Sequence, residues 1–213
     1  MTDQPDRVLG PVASYYTARL REFGAEARGV DWNSVEGQEL RFAQLCRILP
    51  TDRPFVVRDV GCGYGALVGY LKTRYREFRY EGIDVSEAMV DAARARNAAV
   101  GNASFAVGSE PLTPVDYSVA SGIFNVRLQA TDSAWKAYVR HTLTAMDRNS
   151  IGGFAFNCLT SYSDPDRMRD DLNYADPCEL FDLCKRSFSR NVALLHDYGL
   201  YEFTILVRKN PEG

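Results

Sequence analysis

The sequence predicts an α/β fold: an open, doubly wound, mostly parallel sheet that ends in an antiparallel hairpin. Three observations predict it. From about residue 34 onward, β-rich runs alternate with amphipathic helical stretches, the pattern of strands joined by helical crossovers. The first of these runs passes directly into a glycine-rich turn and then into a helix. The last two are joined by only six residues, His196 to Tyr201, too few for a helical crossover, so they pair as a hairpin.

Each element has its own local reason. Between Ser34 and Leu49 the apolar Phe42, Leu45, Cys46 and Leu49 repeat at i, i+3, i+4, i+7, which makes one buried helical stripe. Asn33 or Ser34 can cap this helix, and Pro50 follows its end. Phe55–Val60 reads as the first strand, followed by Gly61-Cys62-Gly63-Tyr64-Gly65 and a helix carrying Leu67, Val68, Tyr70 and Leu71. A short strand at Tyr80–Asp84 leads to a helix opening at Ser86, whose hydroxyl can accept from an otherwise unpaired amide of the first turn.

Further strands are expected at Ser104–Val107, Tyr117–Ser121 and Gly153–Leu159. Between the last two, Trp135, Tyr138, Val139, Thr142, Leu143 and Met146 share one helical face. Asp176-Pro177 is a cap followed by a first-turn proline, opening a helix that turns Leu180, Phe181, Cys184 and Phe188 inward. Val192–Leu195 and Glu202–Val207 form the terminal hairpin. With no repeat or linker, the chain is expected to be a single domain, 1–213, in which residues 1–50 form a mostly helical cap over the edge or mouth of the sheet.

Composition narrows the function. At 46% hydrophobic and 25% charged residues the chain can bury a core and is not a disordered polymer. The longest uncharged stretch, Asn149 to Ser163, is short and rich in Gly, Asn, Ser and Thr, so no membrane span is expected. The N-terminal residues show no basic cluster followed by an apolar core, so no secretory signal is legible and a cytoplasmic location is expected. A net charge of −3 argues against binding along a nucleic acid, which needs a basic face. The cysteines, Cys46, Cys62, Cys158, Cys178 and Cys184, are odd in number and include no C-x-x-C pair, which suits reduced thiols. The two histidines, His141 and His196, lack a metal ligand three or four residues on, so no metal is expected.

In such a sheet the ligand crevice lies beyond the carboxyl ends of the parallel strands. Gly61, Gly63 and Gly65 follow the first strand, where a missing Cβ lets a ligand approach the backbone and the next helix presents its N-terminal amides. Asp84 ends the second strand, where a carboxylate can accept two hydrogen bonds from a ribose diol, so the pair reads as a nucleoside site. Gly61, Gly63 and Ala66 also satisfy the dinucleotide pattern G-x-G-x-x-G/A. Asp59, two residues before Gly61, breaks the tie: a carboxylate there repels a pyrophosphate and attracts a sulfonium, favouring S-adenosylmethionine over NAD.

Asp59-Val60-Gly61-Cys62-Gly63-Tyr64-Gly65 and Gly82-Ile83-Asp84-Val85-Ser86-Glu87-Ala88-Met89 resemble the first two motifs of the class I S-adenosylmethionine-dependent methyltransferases of small-molecule type. The resemblance spans about Val35 to Lys209 in strand order and is motif-specific between Phe55 and Asn125. It implies a Rossmann-like sheet of seven strands with the last antiparallel, in agreement with the hairpin. It also implies that the glycine loop, including Cys62, holds the methionine part, that Asp84 binds the ribose, and that Val85 and Met89 pack on the adenine. Where the family often has an acidic residue after the third strand, this chain has Gly108-Ser109, so Ser109 is expected there. The backbone of Ser121 and Gly122 would lie near the donor's amino group, with Phe124 and Asn125 toward the substrate. The Asn/Asp-Pro-Pro-Tyr/Phe signature of exocyclic-amine methylation is absent, which favours small molecules.

Further candidates rest on position alone. Tyr15, Tyr16, Trp32 and Arg41 could line the crevice from the cap, Arg41 facing the donor's carboxylate, although a packed helix explains Tyr15, Tyr16 and Arg41 equally well. His141, late in its helix, should sit away from the crevice. His196 ends the sixth strand on the ligand side and could serve as the catalytic base, or stand in water at the hairpin turn. Tyr162, Asp164 and Tyr174 are substrate-side candidates, with loop surface as the alternative. The expected activity is therefore methyl transfer from S-adenosylmethionine to an oxygen or nitrogen of a small molecule. The alternatives are an RNA or protein acceptor, a NAD-dependent oxidoreductase, and a non-catalytic nucleoside-binding module.

Overall fold

The structure is a computed structural model and describes residues 4–110 and 113–209. Its elements in chain order are α1 (Gln4–Phe23), α2 (Val35–Leu45), β1 (Phe55–Val60), α3 (Ala66–Lys72), β2 (Phe78–Asp84), α4 (Glu87–Arg96), β3 (Ala103–Val107), β4 (Val115–Ala120), α5 (Asp132–Arg148), β5 (Ser150–Leu159), α6 (Pro177–Ser187), β6 (Asn191–Leu195) and β7 (Glu202–Arg208). Short 3-10 turns follow α1 at Ala27–Val30 and α2 at Cys46–Ile48. The helix expected to run to Leu49 therefore leaves α geometry after Leu45. The tighter turn lets it end against Pro50, whose ring disfavours helical backbone before it.

The strands form one sheet in the order β3-β2-β1-β4-β5-β7-β6. All neighbours pair in parallel except β7, which is antiparallel to both β5 and β6. The expected mostly parallel sheet with a C-terminal hairpin is present. Since β6 again runs with the parallel set, its end lies on the same side as those of β1, β4 and β5. Connections leave β1 toward β2 and return to β4 on its other side, so β1 and β4 flank the switch point where open α/β sheets bind ligands.

Capping chemistry sets several helix starts. Ser34 Oγ accepts the Gly37 amide, Ser86 Oγ the Met89 amide and Asp176 Oδ1 the amides of Cys178 and Glu179, with Pro177 in the first turn. Strand alternation sorts the buried side chains into two layers. Val57, Tyr80, Val119, Ala155 and Leu206 face α2 and α3 with Phe42, Leu45, Leu67 and Leu71. Phe154, Phe156, Phe203 and Ile205 face the other way with Trp135, Leu143 and Met146 of α5 and Cys184 of α6. The face of α5 predicted from its 3.6-residue period is the buried one. No helix among the described residues is long and apolar enough to cross a membrane.

Helix α1 crosses the carboxyl end of the sheet, packing against the 3-10 turn that follows it and against α5 and α4. Thr17 Oγ1 meets Ser86 Oγ at 2.8 Å, and Arg19 Nε donates to Asp31 Oδ1 at 2.7 Å. The first contact ties the N-terminal helix to the residues after β2, and the second ties it to the turn that follows it.

Candidate active site

The turn after β1 is shaped by its backbone. The amides of Gly61 and Cys62 both donate to the Ile83 carbonyl, at 2.8 and 3.0 Å, tying the end of β1 to β2. Gly61 has φ +73°, and a Cβ there would come within 2.1 Å of Ile123 Cγ2, so no other residue fits. The Gly63 amide donates to Asp84 Oδ2 at 2.8 Å, and the Ser86 amide to Asp84 Oδ1 at 2.9 Å. Burial pushes the Asp84 carboxyl above its usual range, opposed by these amides. Each of its oxygens has taken one hydrogen bond and retains the capacity to accept another.

A crevice runs across these strand ends. Its β2–β3 side is formed by Asp84, Val85, Met89, Gly108 and Ser109, its floor by Val60, Gly61 and Gly63. Ser121, Gly122 and Ile123 form the β4 side, and Leu9, Val12, Tyr16, Val30, Trp32 and Tyr138 close it from above and behind. The hydroxyl of Ser121 is buried without a hydrogen-bond partner. Burial raises the phenol pKa values of Tyr16 and Tyr138 well above the ordinary 10.

The structure thus brings nine expected cofactor-site residues, Gly61, Gly63, Asp84, Val85, Met89, Gly108, Ser109, Ser121 and Gly122, into the lining of one crevice, together with Tyr16 and Trp32. Asp59, Cys62 and Gly65 lie outside it. Asp59 is 3% exposed, and its Oδ2 accepts the Tyr80 hydroxyl at 2.7 Å. Burial pushes its carboxyl up to about 7, so near neutrality this side chain is only partly charged. The carboxylate that faces the crevice is Asp84. Cys62 is buried against Gly82, where a Cβ would come within 2.8 Å of its sulfur. Gly65 opens α3 close to Asn97 and Phe105.

The substrate-side candidates are dispersed. Phe124 is fully buried and lines a separate groove between α5 and α6. Asn125 accepts the Leu159 amide at 2.9 Å, pinning the loop after β4 to β5. Tyr162 is 69% exposed, and its ring meets that of His196 at 5.9 Å. His196 is exposed and also contacts Phe203; neither it nor Tyr162 lines the crevice. Tyr174 accepts the Arg169 amide and borders the α5–α6 groove, while Asp164 takes the Tyr201 hydroxyl. His141 pairs with Glu110. Arg41 is bound to Glu202 rather than facing the crevice.

Leu9, Val12, Val30, Val60, Ile123 and Tyr138 were missed. A signal existed for two of them: Leu9, Val12 and Tyr16 repeat at i, i+3, i+7, a stripe on α1 that lines the crevice.

A family model described as a methyltransferase domain matches residues 57–148. The Mycobacterium tuberculosis (strain ATCC 25618 / H37Rv) protein named "Putative methyltransferase Rv1506c" is 58% identical over 163 residues, 76% of this chain and 98% of its own length. Among solved structures, N-methyltransferase NodS from Bradyrhizobium japonicum WM9, in complex with S-adenosyl-l-homocysteine, aligns with 92% of this chain and 98% of its own at a TM-score of 0.65 and 16% identity. The DhpI complex with S-adenosylhomocysteine aligns with 96% and 98% at a TM-score of 0.64 and 16% identity. At that identity the structural likenesses establish the fold.

Proposed function

Because the chain belongs to the methyltransferase family, we propose that it transfers a methyl group from S-adenosylmethionine to an oxygen or nitrogen of a small molecule, with the donor in the crevice between β1 and β4. One observation carries this reading: residues from the ends of four separate strands, β1, β2, β3 and β4, converge on one crevice at the switch point. The residues present fit the donor. Asp84 has free acceptor capacity on both oxygens for a ribose diol. Ser121 offers a buried hydroxyl without a partner.

Bound there, the donor supplies a methyl carbon activated by a positively charged sulfur. Asp84 binds the ribose hydroxyls; Val85, Met89, Leu9 and Val12 enclose the base; Gly61, Gly63 and the Ser121–Gly122 turn face the amino-acid end. Tyr16, Trp32, Ile123 and Tyr138 form the walls beyond and exclude water, which raises the reactivity of an acceptor atom held in line. Burial pushes the Tyr16 and Tyr138 phenols upward, so both stay neutral, and the lining contributes orientation and desolvation. A small acceptor is supported by α1, whose Leu9, Val12 and Tyr16 line the crevice and narrow access to it. In this reading the chain is one domain, 1–213, with residues 1–50 as its helical cap.

Calorimetric titration with S-adenosylmethionine, S-adenosylhomocysteine and NAD tests the reading. Saturable binding of both adenosyl compounds and none of NAD is expected; saturation by NAD alone would refute it.

A further inference from the structure

Glu202 begins β7 on the face of the sheet that packs against α2, and it is 1% exposed. Its carboxylate accepts Arg41 Nη2 at 2.7 Å, Arg41 Nε at 2.9 Å and Asn157 Nδ2 at 2.6 Å. Asn157, itself fully buried on β5, uses its other end to accept the Gly122 amide at 2.7 Å. On the opposite branch the Arg41 guanidinium lies 3.9 Å from the centre of the Trp32 ring. Trp32 in turn packs on Gly122 so closely that a Cβ there would come within 2.6 Å of it. The contacts therefore close a ring through Glu202, Asn157, Gly122, Trp32 and Arg41, and two of its members, Gly122 and Trp32, line the crevice.

Stability alone is a poor reason for this arrangement. Burying an ion pair costs desolvation that apolar residues of the same volume avoid, and such a replacement is often neutral or stabilising. What the ion pair supplies here is direction. One residue on the far side of β5 governs both the turn that ends β4 and the aromatic wall that rests on it.

We propose that Glu202 is a positioning residue for methyl transfer: through Asn157 it fixes the Gly122 turn and through Arg41 it fixes Trp32, holding rigid the crevice wall that faces the amino-acid end of the donor. The proposal rests on the reading of the crevice as an S-adenosylmethionine site. It predicts a selective effect. The nucleoside side, formed by Asp84, Val85 and Met89, is not part of the ring and stays as it is.

The test compares two ligands on the full chain. S-adenosylhomocysteine carries the amino-acid end; 5′-methylthioadenosine keeps the nucleoside and sulfur and lacks that end. In Glu202→Gln, S-adenosylhomocysteine is expected to bind about tenfold more weakly or worse, as for loss of one charged hydrogen bond, while 5′-methylthioadenosine binds as to the parent. Equal loss for both ligands, or loss for neither, would overturn the proposal. Should the unpaired guanidinium unfold that variant, the double replacement Arg41→Met/Glu202→Leu removes both charges and is judged by the same comparison. In the parent chain without ligand, the Gly122 amide is expected to resist hydrogen exchange; rapid exchange there would also overturn it. Failure of the parent to bind S-adenosylmethionine would instead strike the assignment of the crevice.

Discussion

Asp59 and Asp84 end adjacent strands, yet the fold gives them opposite tasks. Asp84 is held by two amides with its remaining acceptor sites toward the crevice, whereas Asp59 is turned into the layer beneath, against the Tyr80 hydroxyl. The raised pKa of Asp59, about 7 against an ordinary 3.8, has a consequence for stability. Below about pH 4 the side chain is protonated in both folded and unfolded chains and makes no difference between them. As pH rises from about 4 to 7 the unfolded chain releases this proton and the folded chain keeps it, so stability falls by something on the order of 4 kcal/mol. Asp59→Asn removes that dependence and still offers an oxygen to Tyr80. Thermal denaturation at pH 4 and pH 8 should show the variant gaining on the parent as pH rises; parallel curves would exclude the effect. At Asp84 the readout is binding: Asp84→Ala should weaken S-adenosylhomocysteine by roughly 1.5 to 3 kcal/mol, and an unchanged affinity would remove it from the site.

Among the elements, α1 carries the clearest prediction because its Leu9, Val12 and Tyr16 face the crevice. Leu9, Val12 and Tyr16 line the ligand space, so this helix is an enclosing element as well as a structural one. Val12→Asp puts a charge beside the place proposed for the base. It should lower S-adenosylhomocysteine affinity by about tenfold or more, since an unpaired charge in a dry site costs well over 1 kcal/mol, and should leave the melting temperature nearly unchanged. A fall in melting temperature with intact binding would make α1 a purely structural element. Local chemistry made the element starts readable: Ser86 and Asp176 cap their helices as expected because a cap depends on residues three apart. The stripe of Leu9 and Val12 was visible in the sequence, but its destination was not. The face that a helix buries against a ligand space carries the same apolar period as one buried against a core.

For the whole molecule, ligand binding and folding are linked. A compound that binds only the folded chain adds about 2.7 kcal/mol of stability at a hundred times its dissociation constant. For a chain of this size that corresponds to a rise of roughly 5 to 10 °C in melting temperature. S-adenosylhomocysteine should produce such a rise and NAD none; a rise with NAD alone would contradict the donor assignment. The sequence by itself determined the alternation of strands and helices, the antiparallel end, and the pairing of the glycine turn with Asp84, because period, turn chemistry and caps act over a few neighbouring residues. Only the tertiary structure decided that Asp59 turns away from the crevice, that Phe124 serves a different groove, and that Arg41 reaches Glu202 instead of the donor. Those outcomes depend on which layer each strand faces and on contacts between residues as far apart as Arg41 and Glu202, 161 positions along the chain, and no local pattern encodes them.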